Sequence, residues 1–234
     1  MDNWSVRFNN ISIKRGSRIV LDGIDMQLSN ADLVLMTGQN GSGKSTLLKI
    51  ISGLLKPEQA QISLLPHNGQ LAEYNWSRMR RILRQKVCYL HQQPYLFQGS
   101  VFDNVAYGLK RKGLSREQIK QQVCRMLEEF SLQDLINRDC RELSGGEKQR
   151  VAIVRSWITQ PDMILLDEPF SNMDKESRRK CYTLISHLCR DNIALILTSH
   201  DPLSGELDFT QHIHLYQGKI THKTPDTKSK KFSE

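Results

Sequence analysis

Over the first thirty residues apolar and polar positions alternate in two short runs, 6–13 and 24–28, with Arg15-Gly16-Ser17 as a turn between them. A period of two marks a strand with one buried face, so the chain opens on a predicted small antiparallel sheet. Four short, unbroken apolar runs rich in branched residues follow, at 33–36, 87–90, 163–166 and 193–197. They are too brief for buried helices and suit strands covered on both faces, as in a parallel sheet. Between them the spacing turns helical, at 44–54 and over 116–130, where Ile119, Val123, Met126, Leu127 and Phe130 recur at helical intervals. Strand, helix and strand in succession predict an α/β core with doubly wound, right-handed connections. From about 94 to 140 no strong strand occurs, which predicts a helical subdomain inserted in that core. Gln217-Gly218, between 212–216 and 219–221, predicts a closing hairpin.

With 234 residues the chain can bury a sizeable core as one large domain. Its five cysteines are odd in number, scattered and without a C-x-x-C pair, so they predict neither a disulfide framework nor a zinc site, and point to a reducing, cytosolic setting. No run approaches the roughly 18 to 20 apolar residues of a membrane-spanning helix. Met1-Asp2-Asn3-Trp4-Ser5 has neither the basic head nor the apolar run of an export signal, so the expectation is a chain that stays inside. The formal net charge of +8, from 33 Lys and Arg against 25 Asp and Glu, favours a polyanionic ligand. Part of it lies in residues 223–234, with Lys223, Lys228, Lys230 and Lys231, which read as a mostly disordered, solvated tail.

The densest chemistry is in Gly38-Gln39-Asn40-Gly41-Ser42-Gly43-Lys44-Ser45-Thr46, which follows the run 33–37 and opens a helix. Its first eight residues fit G-x-x-x-x-G-K-[ST]. A phosphate chain needs several backbone N–H groups converging at close range, and glycine permits both the loop shape and the approach. The helix start adds the positive end of its dipole. Lys44 is the expected partner of the β and γ phosphates, Ser45 of Mg2+ and Thr46 of a further phosphate oxygen. The bland alternative is a glycine-rich turn ending a strand; the elements on either side favour the phosphate reading.

Met163-Ile164-Leu165-Leu166-Asp167-Glu168-Pro169 reads as an apolar strand that delivers two carboxylates at its end. Asp167 is expected to hold Mg2+ through water, and Glu168 to orient and polarise an attacking water. An acidic turn after a buried strand is common, and the glycine loop is what gives this pair its chemistry. Leu143-Ser144-Gly145-Gly146-Glu147 reads two ways at once. Ser144 and Glu147 form a capping box for a helix over 147–157. Two consecutive glycines cost helix stability, and are explained if a phosphate must approach the helix start. Gln92 and His200 follow the runs 87–90 and 193–198; alone, each is an ordinary surface residue. Four strands of one parallel sheet then end in Gly38, Gln92, Asp167 with Glu168, and His200, and such sheets bind ligands at their carboxyl edge. One pocket is expected to gather them.

Present together and in this order over residues 5–222, these motifs resemble the ATPase subunits of ABC transporters, with an importer-like cast. Residues 38–45 resemble the Walker A loop, Gln92 the Q-loop glutamine, 143–147 the signature motif and His200 the switch histidine. Residues 163–167 with Glu168 resemble Walker B and its catalytic glutamate, and Ser171-Asn172-Met173-Asp174 the D-loop. The resemblance implies a P-loop NTPase core with a mostly parallel sheet, an N-terminal antiparallel β subdomain and a helical subdomain inserted at about 94–155, all in one ATPase domain over 1–222. It implies ATP and Mg2+ as cofactors, a catalytic set of Glu168, His200 and Gln92, and Gln92 beside Ser45 and Asp167 at the metal. It further implies a homodimer that sandwiches two ATP molecules, each held by one chain's phosphate loop and the other chain's Ser144, Gly145, Gly146, Glu147 and Asp174. The implied partners are a transmembrane permease subunit at the cytoplasmic face of the cell membrane and an extracytoplasmic substrate-binding protein, with no nucleic acid. The segment 92–104 would contact the permease, with Pro94-Tyr95-Leu96-Phe97 as an apolar contact or else as subdomain core.

Three departures stand out. Arg15, just before Gly16, occupies the position where the family usually stacks an aromatic residue on adenine; a guanidinium plane can also stack on a base. Glu147 replaces the commoner glutamine of the signature, and Met173 the usual leucine. Residues 91–101 resemble bacterial importers of oxyanions such as tungstate. The chain stops soon after the hairpin, so no regulatory domain is expected. The charge also invites a soluble ABC-type ATPase acting on nucleic acid or ribosomes, but the second ATPase domain or long coiled coil of such proteins is not seen. Glu168 and His200 speak against a regulator that does not hydrolyse.

Overall fold

The computed structural model describes residues 4–65, 72–171, 173–200, 203 and 207–225. The alternating start folds into two antiparallel strands, β1 (Ser5–Arg15) and β2 (Arg18–Ser29), which pair Val6 with Leu28 and Arg15 with Arg18. The apolar run that follows is β3 (Leu33–Thr37), and the phosphate-loop motif leads into α1 (Lys44–Ile51). That helix ends three residues before its predicted limit. Gly53 takes a left-handed φ of 71°, and Leu54 N–H and Leu55 N–H fold back onto the carbonyl of Lys49, a closure that a glycine past the last turn permits.

Two strands not foreseen in the sequence come next, β4 (Gln59–Leu65) and β5 (Ala72–Tyr74), before α2 (Trp76–Lys86). They enlarge the first sheet to four strands in the order β2-β1-β4-β5. β4 exists by pairing Phe8 with Ile62 and Val6 with Leu64, contacts between residues far apart in the chain that no local period encodes.

The chain then returns to the core as β6 (Val87–Leu90), followed by α3 (Val101–Lys110), α4 (Arg116–Glu129) and α5 (Gly145–Trp157). Ser100, Ser115 and Ser144 cap these helices by accepting backbone N–H groups. The core is completed by β7 (Met163–Leu166), α6 (Lys175–Arg190), β8 (Ala194–Ser199), β9 (Gln211–Tyr216) and β10 (Lys219–Pro225). β10 runs into the predicted tail as far as Pro225, because Lys223 pairs with Ile213 and Pro225 with Gln211. The expectations for 226–234, and for Asn172, fall outside the described residues.

The second sheet has six strands in the order β10-β9-β3-β8-β7-β6. All neighbours are parallel except the closing pair of β9 and β10. Side chains alternate between its faces, and the split is visible strand by strand. Leu33, Leu35, Ile164, Leu166, Leu195 and Leu197 join a core with α3, α4, α5 and α6. Val34, Met36, Met163, Leu165, Ala194 and Ile196 join the other, with α1, α2 and the antiparallel sheet. Burial on both faces is why these runs are unbroken in the sequence. Among the described residues no helix is long and apolar enough to cross a membrane.

Candidate functional site

At the end of β3 the chain turns through Gly38, Gly41 and Gly43, with φ of 149°, 77° and 111°. Two of these glycines are also required by space. A Cβ on Gly38 would run into the carbonyl oxygen of Leu215, and one on Gly43 would lie 2.7 Å from Leu21 Cδ2. The loop is therefore wedged between β2 and β9. α1 begins directly after it with Gly43 as its N-cap and no side chain capping the first turn, which leaves the N–H groups of the helix start without a side-chain acceptor. Ser42 Oγ is buried and, among the described residues, has no hydrogen-bond partner. Uncapped N–H groups and an orphaned hydroxyl in a wedged loop fit an anion in the loop's concavity.

Residues 39–46 line a cavity of about 410 Å³ together with Arg15, Arg18, Val20 and Glu168. Lys44 is 5% exposed, and its ammonium donates to the carbonyl oxygens of Gly38 at 2.6 Å and Gln39 at 3.3 Å. Burial pushes its pKa down, while Glu168 and Asp167 pull it back up.

Because β3, β8, β7 and β6 lie side by side in parallel, the residues beyond their carboxyl ends share one rim. Glu168 gathers them. Gln92 Nε2 donates to Glu168 Oε2 at 3.0 Å, His200 Nε2 lies 2.6 Å from Oε1, and Lys44 Nζ lies 3.8 Å from the same oxygen. Gln92 also donates to Ser171 Oγ at 3.3 Å. Glu168 has a left-handed backbone, φ 50°, a conformation that costs a residue with a Cβ about 1–2 kcal/mol.

What holds that turn was not foreseen in the sequence. The Thr198 hydroxyl accepts the N–H of Glu168 at 2.8 Å and donates to Asp167 Oδ1 at 2.8 Å. The Tyr89 hydroxyl donates to Asp167 Oδ2 at 2.8 Å. Burial and the neighbouring Asp167 carboxylate keep the Tyr89 phenol protonated well past its ordinary range. Both residues sit inside strands that read as plain core; the one signal was a hydroxyl in each apolar run. Asp167 is buried, with each oxygen accepting one hydrogen bond, and Ser45 is exposed at the start of α1. A hydroxyl and a carboxylate with lone pairs left for water are the hard oxygen donors that suit Mg2+, which keeps much of its hydration.

The remaining predicted residues stand apart from this cavity. Ser144 caps α5 in a complete capping box, accepting Glu147 N–H while Glu147 Oε2 accepts Ser144 N–H at 2.8 Å. Gly145 faces open space, but a Cβ on Gly146 would come within 2.8 Å of Ser177 Oγ and Ser177 Cβ. Of the two glycines that a phosphate was expected to explain, Gly146 has a second cause, the close approach of α6. Asp174 caps α6, accepting from Ser177 N–H at 2.8 Å and Ser177 Oγ at 2.9 Å. None of residues 144–147 and 174 lines the cavity.

Residues 21–171 match the family model described as ABC transporter. The chain is 34% identical over 198 residues to the Fe(3+) ions import ATP-binding protein FbpC of Escherichia coli O157:H7, covering 84% of this chain and 55% of that protein. It is 33% identical over 202 residues to the spermidine/putrescine import ATP-binding protein PotA of Mycoplasma capricolum, covering 86% and 56%. It thus spans somewhat more than half the length of these relatives. Among solved structures, CbiO1 from Clostridium perfringens, part of the ABC transporter complex CbiONQ, superposes with a TM-score of 0.82 at 25% identity, over 94% of this chain and 88% of that one. The ATP-binding cassette MJ0796, in a dimeric post-hydrolysis state bound to ADP and Pi, gives 0.79 at 26% identity, over 94% and 98%.

Proposed function

Because the chain belongs to the ABC transporter family, we propose that it is the ATP-binding and ATP-hydrolysing subunit of an importer whose membrane-spanning part is a separate polypeptide. The observation that carries this reading is the meeting of Gln92, His200 and Lys44 on one carboxylate, Glu168, at the rim of the phosphate-loop cavity. The loop's N–H groups and Lys44 hold the triphosphate and offset its charge. Glu168 polarises the attacking water, and the shared hydrogen bonds from Gln92 and His200 fix where its carboxylate stands. Ser45, Asp167 and Gln92 would hold Mg2+, which when bound spreads the charge that builds on the phosphate oxygens.

A monomer is incomplete in this reading. The start of α5 at Ser144, Gly145, Gly146 and Glu147, open at Gly145, and Asp174 at the start of α6 lie outside the cavity of their own subunit. It serves the cavity of a second copy, where its N–H groups meet the γ phosphate. The dimeric state named for MJ0796, with ADP and Pi, supports this arrangement.

Docking to the permease falls to an exposed aromatic group after Gln92. Tyr95 is 71% exposed, Phe97 packs edge-on against it at 5.7 Å and Tyr107 lies tilted against Phe97 at 4.7 Å. Exposed rings in contact suit an interface better than subdomain core. Such docking places the subunit on the cytoplasmic face of the cell membrane, and import calls for an extracytoplasmic substrate-binding protein. The cargo is a small ion or polyamine by likeness to FbpC and PotA; an oxyanion is supported by residues 91–101 alone.

The test is Glu168→Gln. Size exclusion with ATP and Mg2+ is expected to show a stable dimer, with hydrolysis slowed by about a hundredfold or more. A species that stays monomeric, or hydrolysis at the parent rate, contradicts the proposal.

A further inference from the structure

Residues 91–99, between β6 and α3, form neither helix nor strand, so no backbone ladder of their own sets where the rings of Tyr95 and Phe97 stand. Two side chains from neighbouring helices do. Asn104, on α3 and without solvent exposure, accepts the N–H of Phe97 at 2.8 Å and donates its amide to the carbonyl oxygen of Phe97 at 3.0 Å. The same amide reaches the Ser100 carbonyl at 3.1 Å and Cys140 Sγ at 3.2 Å. Arg155, in the last turn of α5, donates to the carbonyl oxygen of Tyr95 at 2.8 Å and to Asn104 Oδ1 at 3.4 Å. Its guanidinium lies 5.3 Å from the centre of the Phe97 ring, within reach of the ring's negative face. Among the described residues this guanidinium has no carboxylate partner; its donors go to the segment and to Asn104 instead. The two helices are also locked together, since a Cβ on Gly108 of α3 would run into Thr159 Cγ2, just past the end of α5.

Resting on the importer reading above, we propose that Arg155 and Asn104 are positioning residues that fix the aromatic docking group to α5, so that the group follows the helix whose start meets the second subunit's nucleotide. α5 starts beside Ser144 and carries Arg155 in its last turn, roughly 16 Å further along the helix axis. A continuous helix is stiff over that length, so a shift at its start reaches its end. From there it passes through Arg155 to Tyr95, through Asn104 to Phe97, and along α3 to Tyr107. Packed side chains and hydrogen bonds are the physical carriers of such coupling. The competing route is Gln92, which bonds to Glu168 and Ser171 of its own subunit. Among the described residues, however, every hydrogen bond to the backbone of residues 95–97 comes from Asn104 or Arg155. The docking group is therefore tied to the helices, and Gln92 reaches it only through the irregular chain at Gln93 and Pro94.

The experiment is amide hydrogen exchange on the full chain carrying Glu168→Gln, with and without ATP and Mg2+, read by mass spectrometry over peptides from 93–100 and 144–157. With Arg155 intact, exchange in both peptides is expected to slow by about tenfold when ATP is added. Arg155→Met, which keeps the length of the side chain and loses its donors, is expected to leave the slowing at 144–157 and to abolish it at 93–100. An arginine with a merely structural role would instead raise exchange in both peptides and leave both responses in place. Arg155→Lys keeps the charge without the planar fork; it is expected to retain part of the response at 93–100, and it carries the test if the methionine variant does not fold. Asn104→Ala is expected to speed exchange of the Phe97 amide about tenfold with or without nucleotide. A response at 93–100 that survives the Arg155 variants unchanged assigns the segment to Gln92 and overturns the inference, as does a segment that never responds to ATP; in both cases slowing at 144–157 leaves the paired-subunit reading standing. Absence of slowing at 144–157 overturns both.

Discussion

Thr198 spends one hydroxyl on two neighbours, and both belong to the acidic pair. Its oxygen accepts the N–H of Glu168 and its hydrogen goes to Asp167 Oδ1, at a position with no solvent exposure. Valine has nearly the same shape and can do neither. Thr198→Val therefore leaves a buried carboxylate oxygen and a partly buried N–H unpaired, at a cost of about 1–3 kcal/mol. It also releases the bond that steadies the left-handed backbone of Glu168. Denaturant unfolding should show that loss of stability, and steady-state kinetics should show kcat falling more than KM rises. Thr198→Ser, which keeps the hydroxyl, should recover most of both. A valine variant as stable and as active as the parent would remove the bridge from the account.

At the scale of elements, α5 and α6 are set by how closely they can approach. Gly146→Ala puts a methyl against Ser177 Oγ and Cβ, and overpacking of this kind costs about 1–3 kcal/mol. Gly145→Ala meets nothing within 4 Å and is expected to be neutral or slightly stabilising, since alanine orders more cheaply than glycine in a helix. Thermal melts of the two variants, one lowered and the other not, check the contrast. The capping box of α5 also carries a pH dependence. Hydrogen bonds from Ser144, backbone first, hold the Glu147 carboxyl below its ordinary value of 4.5. A lowered native pKa means that the folded state favours the anion, so this contribution is complete above 4.5 and fades as pH falls through the lower native value. Glu147→Gln keeps a carbonyl acceptor for the cap and cannot titrate. The parent should melt higher than the variant at pH 7, and the difference should shrink as the parent loses stability below pH 4.5; parallel acid profiles would exclude the carboxylate as the cause.

For the whole molecule, the nucleotide is expected to act as a clamp between the two cores that the six-stranded sheet separates, since its loop leans on β2 and β9 while Glu168 follows β7. A ligand at a hundred times its Kd adds about 2.7 kcal/mol to native stability, a rise in Tm of roughly 5–10 °C for a chain this size. Lys44→Ala should abolish the rise in a thermal-shift assay, and an unchanged shift would take Lys44 out of the phosphate site. Much of this molecule was fixed locally. Unbroken runs declared the doubly covered strands, three-to-four spacing declared the helices at 44 and 116, and Gly38 to Thr46 declared the glycine turn that opens α1, because burial and backbone shape act on neighbours in the chain. Pairing decided the rest. β4 and β5, the continuation of β10 to Pro225, the hydroxyls of Tyr89 and Thr198 on Asp167, and the crowding of Gly146 by Ser177 all join residues distant in sequence. Their energies exist once the sheet order is set, and no period or motif along a single segment can encode them.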